Sequence, residues 1–293
     1  SIAAGKRLMP NYLDIFRVEG TANTEAILVR TYSNTIPNRG HQGELRNRPT
    51  SEGGSYDQFY TPTTRMLDAY PMRDGKPRGS STDFPFDAVM FWQNRDPRFA
   101  ATFATNGSVY PLSGSTTRKQ WTYNTAINES NGNAVYVRRF TTPAIVQGAV
   151  SYSSGTGGGS GMDWIDLRLA EVMLNYADCL NETGNISEAK NMVRLIRIRA
   201  GIVIGDSDYG LGLANNTTDM RALILGERQI EFAFENKRNA DLRRTRTMHL
   251  LNGNMSKLEV ALVSSGQKAV LEALSNGVMF RETIDVNNKT VYQ

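Results

Sequence analysis

Three carboxylates at helical spacing, Glu227, Glu231 and Glu235, lie in the run GERQIEFAFENKRNADLRRTRT. Paired carboxylates can pass protons to and from a substrate, so general acid–base chemistry is one reading of them. Their surroundings point elsewhere. Leu223, Ile230 and Phe234 share a stripe with Glu227, which places the carboxylate among core residues. Burying a lone charge is costly unless a cation pairs with it. Arg228, Lys237, Arg238, Arg243, Arg244 and Arg246 are close in sequence, and Arg168 and Arg197 lie on earlier helices. The expected outcome is a structural ion-pair network of Arg168, Glu171, Glu227, Arg228, Glu231, Glu235, Arg238, Asp241, Arg243 and Arg244. Such a network locks helices together and does no catalysis. The cationic run does not suit nucleic acid, because Glu231, Glu235 and Asp241 neutralise it and no aromatic residues interleave it.

The elements that must position these groups are amphipathic helices. In Asp163–Glu182 the polar residues Arg168, Glu171, Asn175, Asp178 and Glu182 form one narrow stripe. Ile165, Leu169, Val172, Tyr176 and Cys179 make an apolar stripe on one side, and Leu167, Ala170, Leu174 and Ala177 make a second. A helix apolar on two sides packs between neighbours, and Cys179 reads as a buried core thiol. Gly184-Asn185 breaks the helix, and Asn185 with Glu188 gives a capping-box-like start to the next. That helix carries Ile186, Ala189, Val193, Ile196 and Ala200 on its apolar face and ends at Gly201. A third helix is expected over Asp219–Glu235. The helix–turn–helix unit of residues 163–200 is close to one tetratricopeptide-type repeat in length.

With the helices in place, the sequence resembles a known family. LRLAEVMLNYADCLNETGNISEAKNMVRLIRIRAG followed by GERQIEFAFENKRNADLRRTRT is similar to the signature of SusD/RagB proteins. Upstream, NTEAILVRTYS, TPTTRMLDAYPMRDGKP and NRDPRFAATFATNG resemble three further family segments, in family order. The resemblance implies a mostly α fold of tetratricopeptide-like helical repeats, with a large loop-rich region containing short strands. It implies a surface nutrient-binding lipoprotein of Bacteroidetes-type bacteria, seated over a SusC-like TonB-dependent outer-membrane transporter and delivering glycan to it. Asn236 stands where the family usually has Gly, and Asn tolerates the same left-handed turn. Thr245 replaces a common Trp, and the tail beyond about residue 250 is unlike the usual family ending. Family members are much longer. The chain starts at Ser1 with no apolar leader or cleavage site, so it reads as a C-terminal portion. The N-terminal half of the same protein would then be a partner carrying the lipid anchor.

Composition does not discriminate further. The 293 residues are 40% hydrophobic, enough for a sizeable core, and a formal charge of +4 is small for this length. With one Cys there is no internal disulfide. Two regions are expected: residues 1–162, rich in Thr, Asn, Gly, Pro and aromatics, and the helical residues 163–293. Ala26–Tyr32 and Tyr136–Phe140 read as strands, Arg65–Tyr70 as a short helix, and SYSSGTGGGSG at 151–161 as a flexible loop.

Binding groups are expected on the loop-rich region. Sugars present apolar C–H faces and many hydroxyls, which call for aromatic platforms beside Arg, Asn, Gln and Asp. By family resemblance the binding face lies partly in residues 32–64, giving Tyr32, Arg39, His41, Gln42, Tyr56, Phe59 and Tyr60 as ligand-binding candidates. Trp92 and Trp121 join them as large aromatics in loop context, whereas Trp164, opening a helix, is expected to pack. His41 reads as a loop hydrogen-bonder, since no ligand-spaced partner suggests a metal. Catalytic signatures such as G-x-S-x-G and H-E-x-x-H are absent, and Gly210-Leu211-Gly212 is not a dinucleotide fingerprint. Asp206–Gly210 resembles the start of a calcium loop but lacks its terminal Glu. Arg95–Arg98 reads as a capped turn. No cofactor, metal or nucleic acid is expected. The alternatives kept beside non-catalytic glycan binding are peptide binding on the same fold, a helical-repeat adaptor for a protein partner, and a glycoside hydrolase.

Overall fold

The computed structural model describes residues 5–55, 60–123, 133–264 and 284–292. Strand β1 (Ala26–Arg30) is followed by short helices α1 (Gly43–Asn47), α2 (Thr64–Ala69) and α3 (Pro97–Thr102). Next come β2 (Phe103–Thr105), β3 (Ser108–Val109), β4 (Lys119–Gln120), β5 (Val135–Val137), β6 (Tyr152–Ser153), β7 (Gly157–Gly158) and β8 (Trp164–Arg168). The long helices are α4 (Leu169–Glu182), α5 (Ile186–Ala200) and α6 (Thr217–Glu231). The chain continues through α7 (Arg238–Arg244), β9 (Met255–Leu262) and β10 (Ile284–Tyr292). Every sheet among the described residues is an antiparallel strand pair: β1–β8, β2–β5, β3–β4, β6–β7 and β9–β10.

The α4–α5 hairpin packs with α6 around Met173, Leu174, Ala177, Val193, Ile196 and Ile224. Local chemistry sets the helix ends. Asn216 caps α6 by accepting the Asp219 N–H at 3.0 Å. Gly201 ends α5 at φ 83°, a left-handed cap that glycine adopts without a Cβ penalty. A second core joins the loop-rich part to the helices, with Tyr70, Phe99, Phe103 and Val137 around Ile230 of α6 and Val260 of β9. The divergent tail thus supplies an antiparallel strand pair that packs Val260 and Ile284 into this core.

Several expectations are corrected. The first long helix starts at Leu169, not Asp163, because Trp164–Arg168 is extended and pairs with β1, Ile165 opposite Val29 and Arg168 opposite Ala26. Five residues of helical pattern give way to a ladder that also buries Ile165. Cys179 is exposed, and Tyr176 is 52% exposed. Both α5 and α6 pack against Met173, Leu174 and Ala177 of α4, so Tyr176 and Cys179 face outward while Leu169 of the same stripe stays buried. Asn185 makes no side-chain cap to α5. The third helix ends at Glu231, and the chain then turns through Phe234 and Asn236 at φ 63° and 60°. Residues 151–161 are not a loose linker. They form the β6–β7 hairpin, with Gly157, Gly158 and Gly159 all at positive φ. Close backbone approach requires glycine here: a Cβ on Gly159 would lie 2.5 Å from the His41 carbonyl oxygen, and one on Gly40 would lie 2.6 Å from the Gly158 carbonyl oxygen.

Candidate functional site

Glu227 and Glu231 are buried. Arg98 on α3 donates to Asp96 at 2.7 Å, to Glu227 at 2.7 Å and to Glu231 at 2.8 Å. Arg168, extended at the β8–α4 junction, reaches Glu25 at 2.6 Å, Glu231 at 2.7 Å and Glu235 at 2.9 Å. Arg197 pairs with Glu227 and Arg199 with Glu25 and Glu231, both from α5, and Arg139 pairs with Glu235. Burial pushes the Glu231 carboxyl up, but Arg199, Arg168 and Arg98 outweigh it and hold the group well below the usual carboxylate range. Glu227 is shifted the same way, with burial opposed by Arg98 and Arg197. Carboxylates so saturated and enclosed cannot serve as proton donors to a bound sugar.

A neighbouring cluster links Arg228 to Asp241 at 2.8 Å and Lys237 to Glu171 at 2.9 Å, with Arg244 joining Asp178 at 2.8 Å. Two residues expected in the network lie outside it. Arg238 donates to the Leu225 carbonyl at 3.2 Å, and exposed Arg243 bonds Asn239 at 2.8 Å. The helix α7 that carries them directs Asp241, not these cations, inward. Glu25, Arg139 and Arg199 were not expected as partners. Arg98 comes from the Arg-Asp-Pro-Arg segment, where Asp96 does cap α3 ahead of Pro97, but its second arginine bridges Glu227 and Glu231 in the network.

Beside this network opens a cleft of about 770 Å³. Strand pairing builds one wall, setting Arg30 of β1 opposite Trp164 of β8, with Trp164 and Asp166 two residues apart on one face. The Trp164 indole N–H donates to Asp166 at 3.0 Å, and its ring lies 5.9 Å from Phe140. Tyr32 stands edge-to-face with His41 at 4.6 Å, beneath the Arg30 guanidinium at 5.2 Å. Asp163 accepts the Tyr32 backbone N–H at 2.9 Å. Gln42 is spent on positioning: its amide nitrogen donates to the Tyr152 carbonyl at 3.1 Å and its oxygen accepts the Tyr152 N–H at 3.3 Å. His41 Nδ1 accepts the Gly43 N–H at 3.1 Å, which leaves Nε2–H to donate to the Met162 carbonyl at 2.9 Å. Burial, aided by nearby Arg46, pushes the His41 pKa down against the opposing hydrogen bond to Met162.

Of the expected ligand-binding residues, the cleft gathers Tyr32, His41, Gln42 and Tyr60. Arg39 is exposed and outside the lining, although Asn38 and Gly40 on either side of it belong. Tyr56 and Phe59 lie outside the described residues. Trp92 and Trp121 pack against the Tyr70–Phe103 core, away from the cleft, because the surrounding loops fold around them. Trp164 takes the opposite course. Expected to pack in a helix, it lines the cleft from β8, joined by Tyr152, Phe140 and Phe234. The two-residue spacing of Trp164 and Asp166 was the available signal.

The fold and cleft define a class: tetratricopeptide-like helical hairpins bracing a loop-rich part with short strand pairs and an open aromatic cleft. The sequence profile of the SusD family matches residues 15–276, and the chain belongs to that family. It is 30% identical over 161 residues to a SusD-like protein P2 of Formosa agariphila, a match covering 52% of this chain and 29% of that protein. A SusD-like carbohydrate-binding protein of Bacteroides fragilis shares the fold at TM-score 0.65 and 20% identity, over 99% of this chain and 54% of its own. Surface glycan-binding protein A of Bacteroides thetaiotaomicron, solved with laminarihexaose, aligns at TM-score 0.53 and 19% identity, over 84% of this chain and 48% of its own. The chain spans about half the length of these solved structures.

Proposed function

We propose that this chain is part of a non-catalytic, cell-surface glycan-binding lipoprotein that passes oligosaccharide to a SusC-like TonB-dependent outer-membrane transporter. The observation that carries the reading is the convergence of Tyr32, Tyr60, Tyr152 and Trp164 on one open cleft. Aromatic faces stack on sugar C–H surfaces, and the polar groups between them bond hydroxyls. Membership of the SusD family supports the transporter as partner and the outer membrane as location. The N-terminal portion of a full-length member would supply the lipid anchor and further repeats.

Isothermal titration against a polysaccharide panel tests the reading, with reducing-sugar release measured alongside. Binding without product release is expected. Binding of mixed peptides and of no glycan would select peptide uptake instead. Turnover abolished by Asp166→Asn, with the fold intact, would make the protein a hydrolase.

A further inference from the structure

Among the described residues the cleft's carboxylates and its glutamine are engaged, while its guanidinium groups are not. We infer that the bound saccharide is acidic, bearing uronate or sulfate groups that Arg30 and Arg46 hold; this rests on the glycan-binding reading above. Asp163 is engaged by the Tyr32 N–H, Asp166 by the Trp164 indole, and Gln42 by both backbone groups of Tyr152. His41 spends both ring nitrogens within the protein. Arg30 and Arg46 are exposed and line the cleft, and among the described residues neither side chain has an ion-pair or hydrogen-bond partner. Elsewhere Arg78, Arg118, Arg194, Arg221 and Arg244 each pair with a carboxylate.

The formal charges of Arg30, Arg46, Asp163 and Asp166 balance, so net charge does not decide the ligand. Uncommitted donors do. A guanidinium offers a planar fork of N–H groups that matches a carboxylate or sulfate edge, and such bonds are about twice as strong as neutral ones. Arg30 is also ordered in advance by its seat over the Tyr32 ring. A neutral sugar would stack on the same aromatic groups and leave both forks hydrated. An acidic one uses both.

Affinity electrophoresis of the intact protein tests this with matched pairs: polygalacturonate against its methyl ester, and dextran sulfate against dextran. Poly-glutamate and laminarin serve as controls. The acidic member of at least one pair is expected to bind at least ~10-fold tighter than its neutral partner, weakening as salt rises. Arg30→Gln and Arg46→Gln are each expected to remove most of that preference while thermal stability stays unchanged. Equal binding of acidic and neutral partners, or binding of laminarin alone, overturns the acidic-saccharide inference and leaves the glycan reading standing. Binding of poly-glutamate with no saccharide bound overturns both. So does no binding to any probe.

Discussion

Glu231→Gln is the sharpest perturbation of the buried network. The central cluster holds five guanidinium groups, on Arg98, Arg139, Arg168, Arg197 and Arg199, against five carboxylates, on Glu25, Asp96, Glu227, Glu231 and Glu235. The charges cancel, so one neutralised carboxylate leaves one cation enclosed without compensation. Glu231 is shared by Arg98, Arg168 and Arg199, and no other member of the cluster contacts more arginines. Gln keeps the shape but turns one acceptor oxygen into a donor that faces guanidinium N–H groups. Breaking a buried pair from one side costs about 3–5 kcal/mol. Large domains lose roughly 2–4 °C per kcal/mol, so a Tm drop on the order of 10 °C is expected. Calorimetry or a circular-dichroism melt at pH 7 reads it. The double variant Glu231→Gln with Arg199→Gln restores charge balance and should recover ~1–3 kcal/mol relative to additivity. A Tm within 1 °C of wild type for Glu231→Gln, or strict additivity in the double variant, would refute the network's role.

Acid should unfold the protein through the same groups. Glu231 and Glu227 are depressed in the fold, so their contribution is complete above the unfolded carboxylate value of ~4.3 and is lost as pH falls through the lower folded values. Tm measured from pH 7 down to 3 should fall steeply below about pH 4.3, and Glu231→Gln should flatten that fall. His41 is also depressed, so protons favour the unfolded chain, and a shallower loss should begin below ~6.5 and vanish in His41→Gln. Trp164→Ala should weaken glycan binding by ~10-fold or more in titration calorimetry, whereas Trp92→Ala should act on Tm and leave the affinity of the folded protein unchanged. Gly40→Ala forces a Cβ against the Gly158 carbonyl and the Tyr152 ring, and should cost ~1–3 kcal/mol in urea unfolding while loosening ligand binding.

Much of the helical part was legible before any coordinates. Ala189, Val193, Ile196 and Ala200 are buried as their spacing requires, Gly201 and Asn236 take left-handed backbone, and Glu227 and Glu231 are buried among arginines. These follow from periodicity and from the cost of an unpaired buried charge, both written locally in the chain. The loop-rich part was less readable. Trp92 and Trp121 offer the same aromatic surface as Trp164, and composition cannot say which of them faces solvent. Which arginine meets which carboxylate was equally hidden, as Glu25 and Arg168 meet across 143 positions of sequence.

By itself, then, the sequence determined the apolar face of α5, its end at Gly201 and the need for buried carboxylates to be paired, because each depends on neighbours within a turn or two. Only the tertiary structure decided that residues 164–168 form a strand and that Trp164 turns toward an open cleft beside Tyr32. It also decided that, among the described residues, Arg30 and Arg46 line that cleft without a carboxylate partner. Strand register and side-chain exposure are set by chain segments far apart in sequence, and the β1–β8 ladder outweighs the local pattern only once both strands are brought together.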